Sequence, residues 1–325
     1  GCGGLGGGMV RTDDEGPHLV ELADLDTHAR DIHGHDRVAD ALEGRVGIHS
    51  RCQATGELGM GVCRDDGLAP LPDEAGPHAA NVERLGADII VVTDTGFYEG
   101  NHPALTVSLR GNTYFQLDVT GPSQDLHSGG YGGKVQNPAN ALIRIMASLR
   151  DGEGRVTVPG FYDDAPVLSD AERAEFERLP FDEQEFAGAI GVPELFGEPG
   201  YGPLERKGMR PTLDVCGMWA GVTGEGSKTI IPAHAHAKFS CRLAPGMDPN
   251  KTFERVRDAI MAVDVPGVEV EVRQLDEMWP FVVSPDHPAA QTAAACLKDV
   301  FGKDPYYVYE GGSIGAVASF DKVLR

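Results

Sequence analysis

The chain has 325 residues, room for two domains of ordinary size, and its 28 basic against 50 acidic side chains leave a formal charge of −22. That charge repels polyanions, so nucleic acid and anionic membrane surfaces are poor partner classes, while 41% hydrophobic content suffices for a packed core. No apolar run nears the roughly 18 residues of a membrane span, and six scattered cysteines without a C-x-x-C pair read as a reduced, cytoplasmic protein.

Residues 1 to about 80 hold six of the eleven histidines, no Tyr, Phe or Trp, and no sustained apolar period, so no element is predicted there. The first clear element is in Ala87 to Gly96, where the apolar run Ile89 to Val92 is closed by polar residues and Gly96, which predicts a buried parallel strand. Thr113, Phe115, Leu117 and Val119 then alternate with their neighbours and predict a half-buried strand. Asn137 as cap and Pro138 at the first helical position open a helix, with Leu142, Ile145, Met146 and Leu149 along one stripe. A polar insert follows, in which Ser169-x-x-Glu172 reads as a capping box. Beyond it a strand is expected over Leu213 to Val222. In the next, Ala233, Ala235, Ala237, Phe239, Cys241 and Leu243 share one face and His234, His236, Lys238, Ser240 and Arg242 the other. A helix over Asn250 to Val263 and a strand through Val268, Val270 and Val272 complete the set.

The order strand, helix, strand, strand, helix, strand is that of a split βαβ, or ferredoxin-like, domain. Placed between the Ile89 to Val92 strand and a helical segment from Pro288 to Phe301, it reads as inserted into an α/β domain.

Among candidate functional groups, Gly1-x-Gly3-x-x-Gly6 lacks the preceding strand that a dinucleotide loop needs, and Ser227 stands where a phosphate-binding loop needs Gly before Lys228. His28, His33, His35 and Asp36 have metal-ligand chemistry but read better as surface residues, for want of a strand or helix to hold them. Asp94 is a functional candidate because open α/β folds place their chemistry at the carboxyl ends of parallel strands. His127 lies in a glycine-rich connection with no apolar face to fill, and Arg242 projects from a polar sheet face.

The ordered motifs Thr93-Asp94-Thr95, Asp125-Leu126-His127-Ser128-Gly129, Asn137-Pro138-Ala139-Asn140-Ala141-Leu142, Val158-Pro159-Gly160-Phe161-Tyr162-Asp163-Asp164, Ser227-Lys228-Thr229-Ile230-Ile231-Pro232 and Glu310-Gly311-Gly312-Ser313-Ile314 resemble the carnosinase and dipeptidase branch of the aminoacylase and acetylornithine deacetylase zinc metallopeptidase family. The resemblance runs from about Asn81 to the end. It implies an incomplete zinc-peptidase-like α/β catalytic domain, formed by residues 1–110 and 278–325, and an inserted ferredoxin-like α+β lid and dimerisation domain at 111–277. It further implies a cytoplasmic homodimer hydrolysing dipeptides or short peptides through a water activated by two zinc ions, with a Glu accepting the proton.

In that resemblance Asp94 is a zinc ligand, and His127 is the lid histidine that enters the partner subunit's site and steadies the oxyanion. Thr229, Arg242 and Ser313 contact substrate, Arg242 taking its C-terminal carboxylate. Asp13, in Asp13-Asp14-Glu15-Gly16, is the counterpart of the bridging metal carboxylate. The family's His-x-Asp motif has no match at Gly34-His35-Asp36. Gly59-Met60 is followed by Gly61-Val62 rather than by two glutamates, and a last His ligand would fall beyond Arg325. The alternatives are an N-acyl amino acid deacylase of the same family, which the 151–212 insert disfavours, or a non-catalytic dimerising fragment without a complete metal site.

Overall fold

The computed structural model describes residues 19–23 and 89–324. The chain divides into two compact units, one formed by residues 1–107, 283–308 and 314–325 and the other by 108–282 and 309–313. Ser313 therefore falls in the same unit as Arg242.

In the first unit, strand β1 (Leu19–Ala23) pairs in parallel with β2 (Ile89–Thr93), in register from Leu19 opposite Ile89 to Ala23 opposite Thr93. β2 is thus the parallel strand expected from its apolar run, although each of its residues is half-buried rather than fully buried. The Pro288–Phe301 helix forms as its sequence predicts. His287 caps its start through Nδ1, and Gly302 ends it at φ 69°, a left-handed conformation that favours glycine. Tyr306 stacks on His102 at 4.0 Å and Phe97 meets Phe301 edge-on at 5.0 Å, packing the segment after β2.

The second unit holds a four-stranded antiparallel sheet. The boundary between the units, at Val107 and Ser108, falls within strand β3 (Ala104–Leu109), and β4 (Gly111–Thr120) opens the second unit, followed by the two-residue β5 (Leu126–His127). Helix α1 (Ser128–Tyr131) and helix α2 (Pro138–Ser148) precede the insert, in which α3 (Asp170–Glu177), α4 (Glu183–Ile190) and α5 (Pro203–Met209) form. After it come β6 (Thr212–Ala220), β7 (Ile230–Ile231), β8 (His234–Leu243), α6 (Pro249–Met261) and β9 (Glu269–Met278). The sheet order is β6-β8-β4-β9, the ferredoxin-like arrangement.

One face of this sheet is dry. Phe115, Leu117 and Val119 of β4 and Ala235, Ala237, Phe239 and Cys241 of β8 are fully buried against Ile145 of α2 and Val256 of α6. Phe115 and Phe239 stack at 4.5 Å, and the alanines of β8 leave room for α2 to approach. The expected caps are present: Asn137 Oδ1 accepts from the Ala139 N–H, and Ser169 with Glu172 closes a reciprocal capping box.

The other face is polar, and its rows follow the strand register. Asp118 faces His236 across β4 and β8, and accepts from His236, Arg273 and Gln116. Burial alone would raise the Asp118 pKa, but these hydrogen bonds outweigh it and hold the carboxyl below its usual range. A carboxyl so depressed contributes stability above the ordinary carboxylate pKa of about 4, and that contribution is lost as the pH falls through the lower folded value. Asp118→Asn is therefore expected to be less stable than the parent at pH 7 and to flatten the decline below about pH 4, as followed by chemical denaturation. An unchanged acid limb would show that the carboxylate is not stabilised in the fold.

Candidate functional site

Residues 126–131 form a short strand and one helical turn, where the glycines led to expectation of a loop. His127 caps that turn: its Nδ1 accepts from the Gly129 N–H at 3.1 Å. Gly129 is needed for this approach, since an added Cβ would lie 2.8 Å from His127 Cε1. With Nδ1 accepting, the neutral ring carries its proton on Nε2, which donates to Thr229 Oγ1 at 3.2 Å. The Thr229 hydroxyl proton is then left to donate elsewhere. Backbone pairing fixes the two segments, because the Ser128 N–H donates to Thr229 O at 2.9 Å and Asp125 Oδ1 accepts from the Ala233 N–H at 2.8 Å. Both His127 and Thr229 are exposed.

Arg242 stands on β8 directly opposite Asn112 of β4 and Thr212 of β6. Its Nη1 donates to Ser313 Oγ at 3.0 Å, and Ser313 Oγ donates its own proton to the Arg110 carbonyl at 2.6 Å. Asn112 Oδ1 and Thr212 Oγ1, on either side of Arg242 in its row, are buried without a hydrogen-bond partner among the described residues. Arg110, which sequence patterning did not single out, donates from Nε to Gly311 O at 3.1 Å and from Nη1 to the carbonyls of Arg206 and Arg210 at 3.4 and 3.2 Å. Burial lowers its pKa to about 10, the Arg242 charge adds to the drop, and Asp214 and Glu310 oppose it. Its partners lie about a hundred and two hundred positions away, and no local pattern carries that information.

These two groups occupy opposite ends of the sheet. Arg242 opposes Asn112 and His234 opposes Thr120, so eight residues separate the rows, roughly 26 Å along the strands. His127 and Thr229 lie past the Thr120 and His234 end, where the Gly121 N–H donates to Ala233 O. The chain thus brings Arg242 together with Ser313 and His127 together with Thr229, but not one pair with the other.

Asp94 follows β2 and is exposed, and Asp13, like His28, His33, His35 and Asp36, lies outside the described residues. Among the described residues no group of three or more His, Cys, Asp or Glu side chains could hold a metal ion.

Residues 107–268 match the family described as a peptidase dimerisation domain. The chain is also 31% identical over 242 residues to the Cys-Gly metallodipeptidase DUG1 of Candida albicans, covering 73% of this chain and 50% of that protein. The chain belongs to the M20 peptidase family. Other M20 relatives agree. The cysteinylglycine-S-conjugate dipeptidase of Corynebacterium striatum is 30% identical, with 85% of this chain and 57% of that protein covered. The M20 metallo-carboxypeptidase Sso-CP2 of Sulfolobus solfataricus superposes with a TM-score of 0.68 at 29% identity, over 77% of this chain and 56% of that one. The M20 chain spans about half the length of the curated relatives it matches. No described helix is long and apolar enough to cross a membrane.

Proposed function

We propose that the chain is part of a metal-dependent dipeptidase and grips dipeptides or short peptides that end in a free carboxylate. The observation that carries this reading is the Arg242 guanidinium, set on Ser313 with the half-buried Arg110 cation nearby, because a planar fork of donors matches a carboxylate and discriminates against an amide. The names of the relatives, Cys-Gly metallodipeptidase and cysteinylglycine-S-conjugate dipeptidase, support that substrate class.

The His127 and Thr229 pair presents the Thr229 hydroxyl, which accepts from the His127 Nε2–H, on an exposed end of the sheet, a donor suited to a carbonyl oxygen that gains negative charge during attack. Since one chain keeps this pair far from Arg242, the working site combines Arg242 and Ser313 of one subunit with the His127 and Thr229 pair of a second. The edge strand β6 is the proposed seam. It exposes Val215, Met218 and Trp219 along an edge that no other described strand pairs, whereas the opposite edge, β9, carries Glu269, Glu271, Arg273 and Asp276, the charges that discourage pairing.

Two zinc ions, the family's source of an activated water, belong to the proposal with Asp94 and Asp13 as ligands. The described residues alone do not compose that centre, because Asp94 is the only one of the two among them. What they supply is the hold on the substrate and the hydrogen bond to its carbonyl.

The test is a substrate panel with zinc present and metal content measured alongside: Cys-Gly, β-Ala-His, their C-terminal amides and N-acetyl amino acids. Cleavage of the free acids but not of the amides, abolished by a chelator, is expected. Preferential cleavage of N-acetyl amino acids would move the assignment to a deacylase. A dimer without bound zinc and without either activity would establish a non-catalytic dimerising chain.

A further inference from the structure

Arg242 alone does not account for the architecture around it. One residue, Arg110, ties two separate segments, 206–210 and 310–313, to this end of the sheet. Its backbone N–H donates to Glu310 O at 3.3 Å, its backbone carbonyl takes the Ser313 hydroxyl, and its guanidinium reaches Gly311 O. The same guanidinium reaches the carbonyls of Arg206 and Arg210 at the C-terminal end of α5, where the helix dipole favours a cation. Gly311 fits this packing because an added Cβ would meet Arg110 Nη2 at 3.1 Å and Lys207 Cγ at 2.9 Å.

Ser313 has one proton, and it goes to the Arg110 carbonyl, so toward Arg242 the hydroxyl acts as an acceptor. The direction of the Arg242 fork is therefore set by where Arg110 holds the 310–313 segment. Nε and Nη1 of Arg110 are engaged by backbone carbonyls. Its charge acts at a distance, because two guanidinium groups held close together repel each other until an anion arrives.

We propose that Arg110 is a positioning residue of the carboxylate subsite, presetting the Arg242 guanidinium through Ser313 and making the empty subsite favour an anion. This rests on the assignment of Arg242 to the substrate carboxylate, and the experiment separates the two.

The full 325-residue chain would be labelled with ¹⁵N-arginine and titrated with N-acetylglycine and with N-acetylglycinamide, which differ in the terminal carboxylate. In the parent, resolved Nη signals of Arg242 and tighter binding of the acid than of the amide are expected. Arg110→Met and Ser313→Ala should each average the Arg242 Nη signals through faster guanidinium rotation and weaken acid binding about tenfold, with a smaller loss for the amide. Arg110→Lys keeps the charge but not the three-acceptor geometry, and should recover less than half of the lost binding on a logarithmic scale.

Arg242 signals and acid affinity equal to the parent in Ser313→Ala would overturn the relay, and that variant leaves every side-chain bond of Arg110 in place even if Arg110→Met fails to fold. If instead the parent and Arg242→Met bind acid and amide alike, the carboxylate assignment fails and the proposal for Arg110 fails with it. In that case the fault lies at Arg242 and not in the relay.

Discussion

In the proposed dipeptidase, His127→Ala and Arg242→Ala are expected to regain about a quarter of parental activity when their subunits are mixed in equal amounts. The expectation follows from the length of the sheet. His127 with Thr229 and Arg242 with Ser313 sit at opposite ends of β4 and β8, roughly 26 Å apart, while a dipeptide is shorter than 10 Å. No single substrate can touch both groups of one chain. In a twofold dimer, each site takes Arg242 from one subunit and His127 from the other. A mixed dimer then holds one site with both residues intact and one with both removed, and mixed dimers make up half of a randomised population.

Alone, each variant should be severely impaired. Losing a positioned donor to a developing oxyanion costs about 10² to 10³ in turnover, and removing the charged partner of a carboxylate costs about 30-fold or more in affinity. Recovery on mixing would therefore stand far above either background. Absence of recovery after exchange of subunits, with dimers present by light scattering, would put both residues in one site of one chain and remove the composite arrangement. Disruption of β6 by Val215→Pro should abolish recovery and dimerisation together, since that edge is the proposed seam.

The lid fold was legible because its signals are local and periodic. In β8 the alternation of Ala235, Ala237, Phe239 and Cys241 with His236, Lys238 and Ser240 marks a strand with one dry face, and the structure buries that face completely. Asn137-Pro138 and Ser169-x-x-Glu172 announce helix starts through side chains that satisfy backbone N–H groups within three residues. Leu19–Ala23 escaped notice because five residues with Glu21 at their centre show no period that can be told from chance, and the strand is revealed by its parallel partner β2. The turn after His127 was read as loop because its glycines disfavour helix. Tertiary pairing of β5 with β7 and the His127 cap override that propensity.

The sequence pointed to candidate residues where chemistry and motif coincide, at His127, Thr229, Arg242 and Ser313, and the structure gives each of them a side-chain hydrogen bond within its own pair. Arg110 was not singled out, because its side-chain partners are backbone carbonyl groups, which every residue carries. An arginine that binds backbone at positions 206, 210 and 311 leaves no imprint on the residue types found there.

Glu198→Ala is the second change expected to have a large effect, and it begins far from the substrate. Arg210, at the end of α5, is only 6% exposed. It donates from Nε and Nη2 to the two carboxylate oxygens of Glu198 at 2.8 and 2.7 Å and from Nη1 to Pro166 O. Its guanidinium also lies 4.2 Å from the Tyr201 ring centre and 5.0 Å from that of Tyr162. Burial opposes the charge on Arg210, but the hydrogen bonds of Glu198 outweigh it and hold the pKa above the usual arginine value. Removing Glu198 strands a buried cation, which costs about 3 to 5 kcal/mol. In a domain of this size that is roughly 10 °C in unfolding midpoint.

The loss also propagates, because the Arg210 carbonyl is one of the acceptors that hold Arg110. Glu198→Ala should therefore weaken N-acetylglycine binding at temperatures where the chain is still folded, although residue 198 touches no substrate. Replacing the pair with apolar side chains, Glu198→Leu with Arg210→Met, removes the stranded charge and should recover most of the stability. Carboxylate binding should return with it, since methionine keeps the backbone carbonyl in place. A double variant that is stable but still binds N-acetylglycine weakly would mean that the guanidinium of Arg210, and not its carbonyl, supports the subsite.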